Sequence, residues 1–192
     1  MTLNFLVLYG SVRSERQGIR FARFLEAQLG RRGHDATLVD PRELSLPLLD
    51  KMYKEYPKGA APKPMQTLAE LIRPADGVLV VSGEYNHGIP PALKNMLDHF
   101  LEEWFWRPSA IACYSAGSFG GVRAGVQLRA TLAELGMPSI PSMLPMPKVQ
   151  DQFEEDGRPR DPAHERRAAR FLDEFEWYAR ALKQARAQGV PY

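Results

Sequence analysis

The apolar positions of the chain fall into short unbroken runs separated by stretches of helical periodicity. Residues 3–9 (Leu-Asn-Phe-Leu-Val-Leu-Tyr) are apolar almost throughout and stop at Gly10, the pattern of a strand buried on both faces of a parallel sheet. From Gly18 the period lengthens. Phe21, Ala22, Leu25, Gln28 and Leu29 follow helical spacing, and Gly30 and Gly33 close the segment. Residues 37–39 read as a short strand, 66–73 as a short helix stopped by Pro74, and 77–82 as a second fully buried strand. Pro90 and Pro91 open a helix running to Asp98, since a missing N–H costs nothing in a first helical turn. Residues 110–114 form a strand, and 121–135 a helix ended by Gly136. The last helix is the clearest. Asp161 caps it, Pro162 takes its first position, and Phe171, Leu172, Phe175, Tyr178 and Leu182 line one face before Gly189.

Proline marks what fits neither period. Pro41, Pro47, Pro57, Pro62 and Pro64 cluster in one stretch, and Pro138, Pro141, Pro145 and Pro147 in another; both read as extended loops. Strands alternating with helices predict one α/β domain over residues 1–192, a doubly wound parallel sheet with helices on both faces. Ligands in such sheets bind beyond the carboxyl ends of the strands. The loops after Tyr9, Ser82 and Tyr114 are therefore where function is expected.

Composition narrows the field. The 192 residues are 44 % hydrophobic and 25 % charged, as in an ordinary globular protein. Twenty-five basic and 23 acidic side chains leave +2, which gives little ground for a nucleic-acid partner. Cys113 stands alone, so no intrachain disulfide is possible, in keeping with a reducing compartment. No apolar run approaches the ~20 residues of a membrane span, and the N-terminal segment lacks a signal-peptide pattern, so a cytoplasmic location is expected. His34, His87, His99 and His164 show no metal-ligand spacing. The five arginines between 158 and 170 are interleaved with acids and read as a solvated helix face.

The three loops carry the chemistry. After Tyr9 comes Gly-Ser-Val-Arg-Ser-Glu-Arg-Gln-Gly (10–18): hydroxyls, arginines and free amides at a helix start, which is what a phosphate needs. Neither the dinucleotide glycine fingerprint nor the Walker pattern is present. After Ser82 comes Gly-Glu-Tyr-Asn-His-Gly-Ile-Pro-Pro (83–91), a polar, aromatic loop fixed by two prolines. After Tyr114 comes Ser-Ala-Gly-Ser-Phe-Gly-Gly (115–121), whose glycines permit close approach to a flat ligand.

With GSVRSERQG, EYNHGIPPALKNMLDH and SAGSFGG at these places, the chain resembles the NAD(P)H-dependent FMN reductases of the flavodoxin-like superfamily. The resemblance runs from the first strand to the last helix. One departure stands out: the residue before Glu84-Tyr85-Asn86 is usually proline in the family and is Gly83 here. The resemblance implies a five-stranded sheet in the order 2-1-3-4-5, bound FMN, NADPH or NADH as co-substrate, a small-molecule electron acceptor and a homodimer or homotetramer. It assigns the FMN phosphate to Ser11, Arg13, Gln17, Gly18 and Ile19, with Arg16 a further candidate. It assigns the flavin ring to Glu84, Tyr85, Asn86, His87 and Gly88, and to Ser115, Ala116, Gly117 and Gly120.

The implied chemistry is hydride transfer from nicotinamide to flavin and on to free flavin, a quinone or a similar acceptor. It requires no protein acid or base. His87 is read as solvent-facing or merely hydrogen-bonded. Negative charge on the ring is expected to be met by amides around Gly117 and Gly120 and by the helix start after Gly121. The segment Trp104-Phe105-Trp106 suits a dimer contact, a substrate wall or core packing, and Met52, Tyr53 and Tyr56 suit a cover over a neighbouring subunit's flavin. The competing reading is a flavodoxin-type electron carrier; such carriers present a strongly acidic surface, which +2 does not supply. A phosphate-binding module without catalysis is the third.

Overall fold

A computed structural model describes residues 1–192. Five parallel strands, β1 (Asn4–Tyr9), β2 (Asp35–Val39), β3 (Gly77–Ser82), β4 (Ser109–Tyr114) and β5 (Ser139–Met146), form one sheet in the order β2-β1-β3-β4-β5. This is the flavodoxin-like order, with its switch point between β1 and β3. β3 and β4 are buried along their whole length, as continuous apolar runs demand, whereas edge strand β2 alternates. Helices α1 (Gly18–Arg31) and α6 (Ala163–Ala187) cover one face; α3 (Lys63–Ile72), α4 (Pro91–Asp98) and α5 (Val122–Glu134) cover the other. Each face closes its own core. Phe5, Phe21, Phe24, Phe153 and Phe175 fill the first, and Met65, Met96, Phe100 and Trp104 the second.

Three segments differ from the sequence pattern. The second proline-rich stretch is strand β5, not a loop. As an edge strand it needs no second ladder, so Pro141 and Pro145 are tolerated. The pairing with β4 shifts register between Ser109 and Ile111, and arginines cap the loose edge: Arg129 donates to the carbonyls of Ile140 and Pro141, and Arg167 to that of Pro145. The first proline-rich stretch contains a short helix, α2 (Pro41–Leu44), whose Arg42 N–H donates to the Asp40 carboxylate, and helix α3 starts at Lys63 rather than 66. Met52, Tyr53 and Tyr56 are half-buried rather than exposed. Tyr53 packs on Phe100 at 5.4 Å and its N–H donates to the His99 carbonyl, so the two tyrosines complete this chain's own core.

Trp104 is fully buried, with its indole N–H donating to the Leu97 carbonyl, whereas Phe105 and Trp106 pack against Tyr192 at the chain's end. α6 begins one residue after Pro162, with Asp161 accepting from the Ala163 N–H. No helix is long and apolar enough to cross a membrane.

Candidate functional site

Strands β1, β3 and β4 end side by side, and the loops that follow them enclose a cavity of about 300 Å³. Ser11, Arg13, Gln17 and Gly18 line it from the first loop, Glu84 and Tyr85 from the second, Ser115 and Ala116 from the third. Ile19, Asn86, His87, Gly88, Gly117 and Gly120 lie outside its wall. Ile19 packs on the core, and Asn86, His87 and Gly117 face solvent.

The first loop is a nest of unused donors. None of the backbone N–H groups from Ser14 to Ile19 has an acceptor in the chain, and they sit at the positive end of α1. The Arg13 side chain is exposed and makes no hydrogen bond or ion pair, so its charge is free for an anion. Arg16 is committed elsewhere. Its guanidinium forks onto the Asp40 carboxylate at the end of β2, donates to the Ser11 carbonyl and lies over the Tyr9 ring at 5.4 Å. Arg16 therefore shapes the loop that Arg13 serves.

The second loop turns sharply. Tyr85 and Gly88 exchange both backbone hydrogen bonds (3.0 and 2.9 Å), with Asn86 at φ 49° and His87 at φ 67° between them. This is a two-residue hairpin turn with left-handed central positions, the second held by a histidine that lacks glycine's freedom. The His87 ring is exposed; its carbonyl accepts from Gln127 of α5.

Glu84 points away from solvent. Its carboxylate accepts from the Arg123 and Ala124 N–H groups in the first turn of α5 (3.0 and 3.3 Å) and from the Arg123 guanidinium (2.8 Å). The start of α5 is thus neutralised by the protein's own carboxylate, contrary to the expectation that it would serve a ligand's charge. Gly120 and Gly121 have φ of 63° and 78°, and a Cβ on Gly121 would stand 2.6 Å from the Tyr114 carbonyl oxygen. Backbone packing accounts for these two glycines.

Several cavity residues carry no sequence signal of their own. Tyr114 closes β4 and lies between two glycines: a Cβ on Gly18 would stand 2.1 Å from its ring, and one on Gly83 3.2 Å. Gly83, where the family usually has proline, thus leaves room for the Tyr114 ring. Tyr114 stacks on Tyr9 at 6.2 Å and donates its hydroxyl to that of Tyr9, and burial raises the pKa of both phenols. Val149 and Gln150 enter from beyond β5, held by the Val149 N–H on the Ser115 carbonyl. The Oε1 atom of Gln150 is buried without a partner. Glu15 and Arg16 complete the mouth.

The loops thus leave unused amides and a free guanidinium beside a polar slot at the switch point of a flavodoxin-like sheet, where sheets of this kind bind ligands. FMN fits the donors: free amides and Arg13 for the phosphate, and the Gln150 oxygen as an unused acceptor for a ring N–H. The comparisons give the class its family. Residues 3–151 match the model of the NADPH-dependent FMN reductases, and the chain belongs to that family. An NAD(P)H-dependent FMN reductase of Schizosaccharomyces pombe is 33 % identical over 165 residues, covering 80 % of this chain and 77 % of that one. A quinone reductase of Pseudomonas putida is 29 % identical over 144 residues, 70 % and 72 % of the two chains. Among solved structures, the FerB flavoenzyme NAD(P)H:(acceptor) oxidoreductase of Paracoccus denitrificans superposes with a TM-score of 0.74 at 21 % identity, covering 92 % of this chain and 99 % of that one. The chain is an NAD(P)H-dependent flavin oxidoreductase.

Proposed function

We propose that this enzyme holds FMN across the three loops and passes electrons from NADPH or NADH to a small, diffusible acceptor such as free flavin or a quinone. The observation that carries the assignment of residues is the nest of unpaired N–H groups from Ser14 to Ile19 beside the free Arg13 guanidinium. Ser11, Arg13, Gln17 and Gly18 would hold the phosphate; Tyr85, Ser115, Ala116 and Gln150 would face the ribityl chain and ring. Bound FMN supplies the hydride chemistry.

The chain's own part is positional. Arg16 pins the phosphate loop to the end of β2, and Glu84 pins the second loop to α5, so the two walls keep a fixed separation. Cys113 takes no part: burial and the nearby Glu84 charge push its thiol up to about 12, which keeps it neutral. Asn86, His87, Gly88, Ile19, Gly117 and Gly120 support the loops from outside the cavity. Hydride transfer itself asks for no protein acid or base, so the rate depends on how the rings are oriented.

The reductase reading is favoured over the electron-carrier reading by the near-balanced charge of +2. We place the enzyme in the cytoplasm as a homodimer or homotetramer. Leu48 is 85 % exposed and Leu49 41 %, on a segment that Asn95 of α4 fixes through both Leu49 N–H and the Pro47 carbonyl, and such rigid apolar surface suits a subunit contact. Light scattering of the purified protein checks this, and a monomer would refute it. Turnover assays with each nicotinamide against FMN, a quinone and an azo compound test the acceptor. Activity on none of them would overturn the reductase reading.

A further inference from the structure

The opposite end of the sheet holds a second cavity, of about 490 Å³. It lies before the start of β4, lined by Phe105, Trp106 and Arg107, by Arg186 of α6 and by Tyr192. The length of β4 sets it roughly 20 Å from the cavity at the switch point, at ~3.3 Å per strand residue. Its aromatic wall is fixed by the backbone. Trp106 has φ 66°, a region that bulky residues avoid. Its N–H donates to the Gly136 carbonyl (3.1 Å), and its own carbonyl accepts from the Arg186 guanidinium (2.8 Å). Gly136 in turn makes room for the Phe105 ring, which stands 2.7 Å from where a Cβ would be. The cationic wall is underused. Arg107 donates to the carbonyls of Arg73, Ala75, Glu103 and Phe105 and forms no ion pair. Burial and the neighbouring Arg186 charge push it down to about 10, as for a cation short of counter-charge. Arg186 shares Asp76 with Lys183, and its Nε–H is unused. Glu102, on the rim, is drawn toward Lys54 at 4.0 Å. The Trp106 indole N–H is buried with no acceptor.

We propose that this cavity is a second ligand site, for a planar aromatic anion whose ring lies on Phe105 and Trp106 and whose charge meets Arg107 and Arg186. The chain itself shows that a ring fits there. Tyr192 packs edge to face on Trp106 at 4.7 Å and on Phe105 at 5.8 Å, while remaining 79 % exposed. It brings a ring but no ion pair to either arginine, so a ligand with both features displaces it. An oxygen on that ligand also gives the Trp106 N–H an acceptor, and a buried donor without one is unfavourable. The site stands apart from the cavity at the switch point, so it neither rests on the flavin reading nor competes with it.

Calorimetric titration of the FMN-loaded full chain with 2-naphthoate tests the site. 2-Naphthamide keeps the plane and lacks the charge; cyclohexanecarboxylate keeps the charge and lacks the plane. One naphthoate per chain should bind, with each control compound weaker by about tenfold or more. Tyr192→Ala should tighten naphthoate binding several-fold, because the ring that occupies the aromatic wall is gone. Trp106→Gly removes the wall and suits the left-handed φ, so the chain should fold as before and bind naphthoate at least about tenfold more weakly. Neither variant should alter FMN affinity. If Trp106→Gly fails to fold, Tyr192→Ala at its exposed position still decides. Absence of binding to the native chain, equal binding of 2-naphthamide, or affinity left unchanged by both variants would overturn the site, and so would weaker binding in Tyr192→Ala. A chain that takes up no FMN yet binds naphthoate in this pattern would overturn the flavin reading and leave this site standing.

Discussion

Arg13 and Arg16 share one loop, yet opposite consequences follow from replacing them. Arg13→Ala should leave the melting temperature unchanged and weaken FMN binding by about 1.5–3 kcal/mol, the range for a bond to a charged group. Arg16→Ala should do the reverse, because Asp40 is only 7 % exposed at its side chain and would lose its partner. A loss of about 3 kcal/mol is expected, read by urea unfolding. The sequence shows two arginines near a helix start and cannot separate them, since the deciding partner comes from the end of another strand. Tyr114 was hidden in the same way. As the last residue of an apolar run it reads as core, and its hydroxyl matters only because Tyr9 ends the run two places away in the sheet. Cys113 was legible, since a lone cysteine mid-strand is buried. It should resist thiol reagents in the native protein at pH 8 and react fully in denaturant.

At the scale of elements, Glu84 ties the second loop to the third by capping α5. Glu84→Ala should cost about 1–2 kcal/mol in thermal or urea unfolding, as for loss of a helix N-terminal acceptor. It should also reduce FMN affinity through loop mobility, without changing the preference for FMN over riboflavin. Unchanged stability would show that water replaces the carboxylate at the Arg123 and Ala124 amides. The buried strands were legible because both of their faces are apolar, and α6 because its stripe is long. β5 was not. Its prolines remove ladder donors, which rules out a central strand but not an edge, and periodicity is silent on where an edge lies. Val149 and Gln150 were lost with it, since they reach the cavity only because β5 delivers them there.

The whole molecule should be most stable below about pH 9. Burial and the nearby Glu84 charge push the Cys113 thiol up from its ordinary 9.0 to about 12, and burial raises Tyr9 and Tyr114 above 10.0. Above pH 9 the unfolded chain gives up these protons while the native one keeps them, so stability present below pH 9 drains away as pH rises. Cys113→Ala should flatten that decline between pH 9 and 11; an identical profile would exclude the thiol as its cause. On the acid side, burial lowers the His164 pKa from 6.5, so its contribution is full above that value and is lost as pH falls through the depressed one. The order of the sheet, its two separate cores and the cavity at its switch point all follow from one arrangement of parallel strands, and we propose that this cavity holds FMN reduced by nicotinamide. Anaerobic addition of NADPH or NADH to the FMN-loaded protein tests it most directly. One FMN per chain is expected, with rapid bleaching of the flavin absorbance and no other protein present. A protein that takes up no FMN, or that holds FMN and keeps its colour with both nicotinamides, would contradict it.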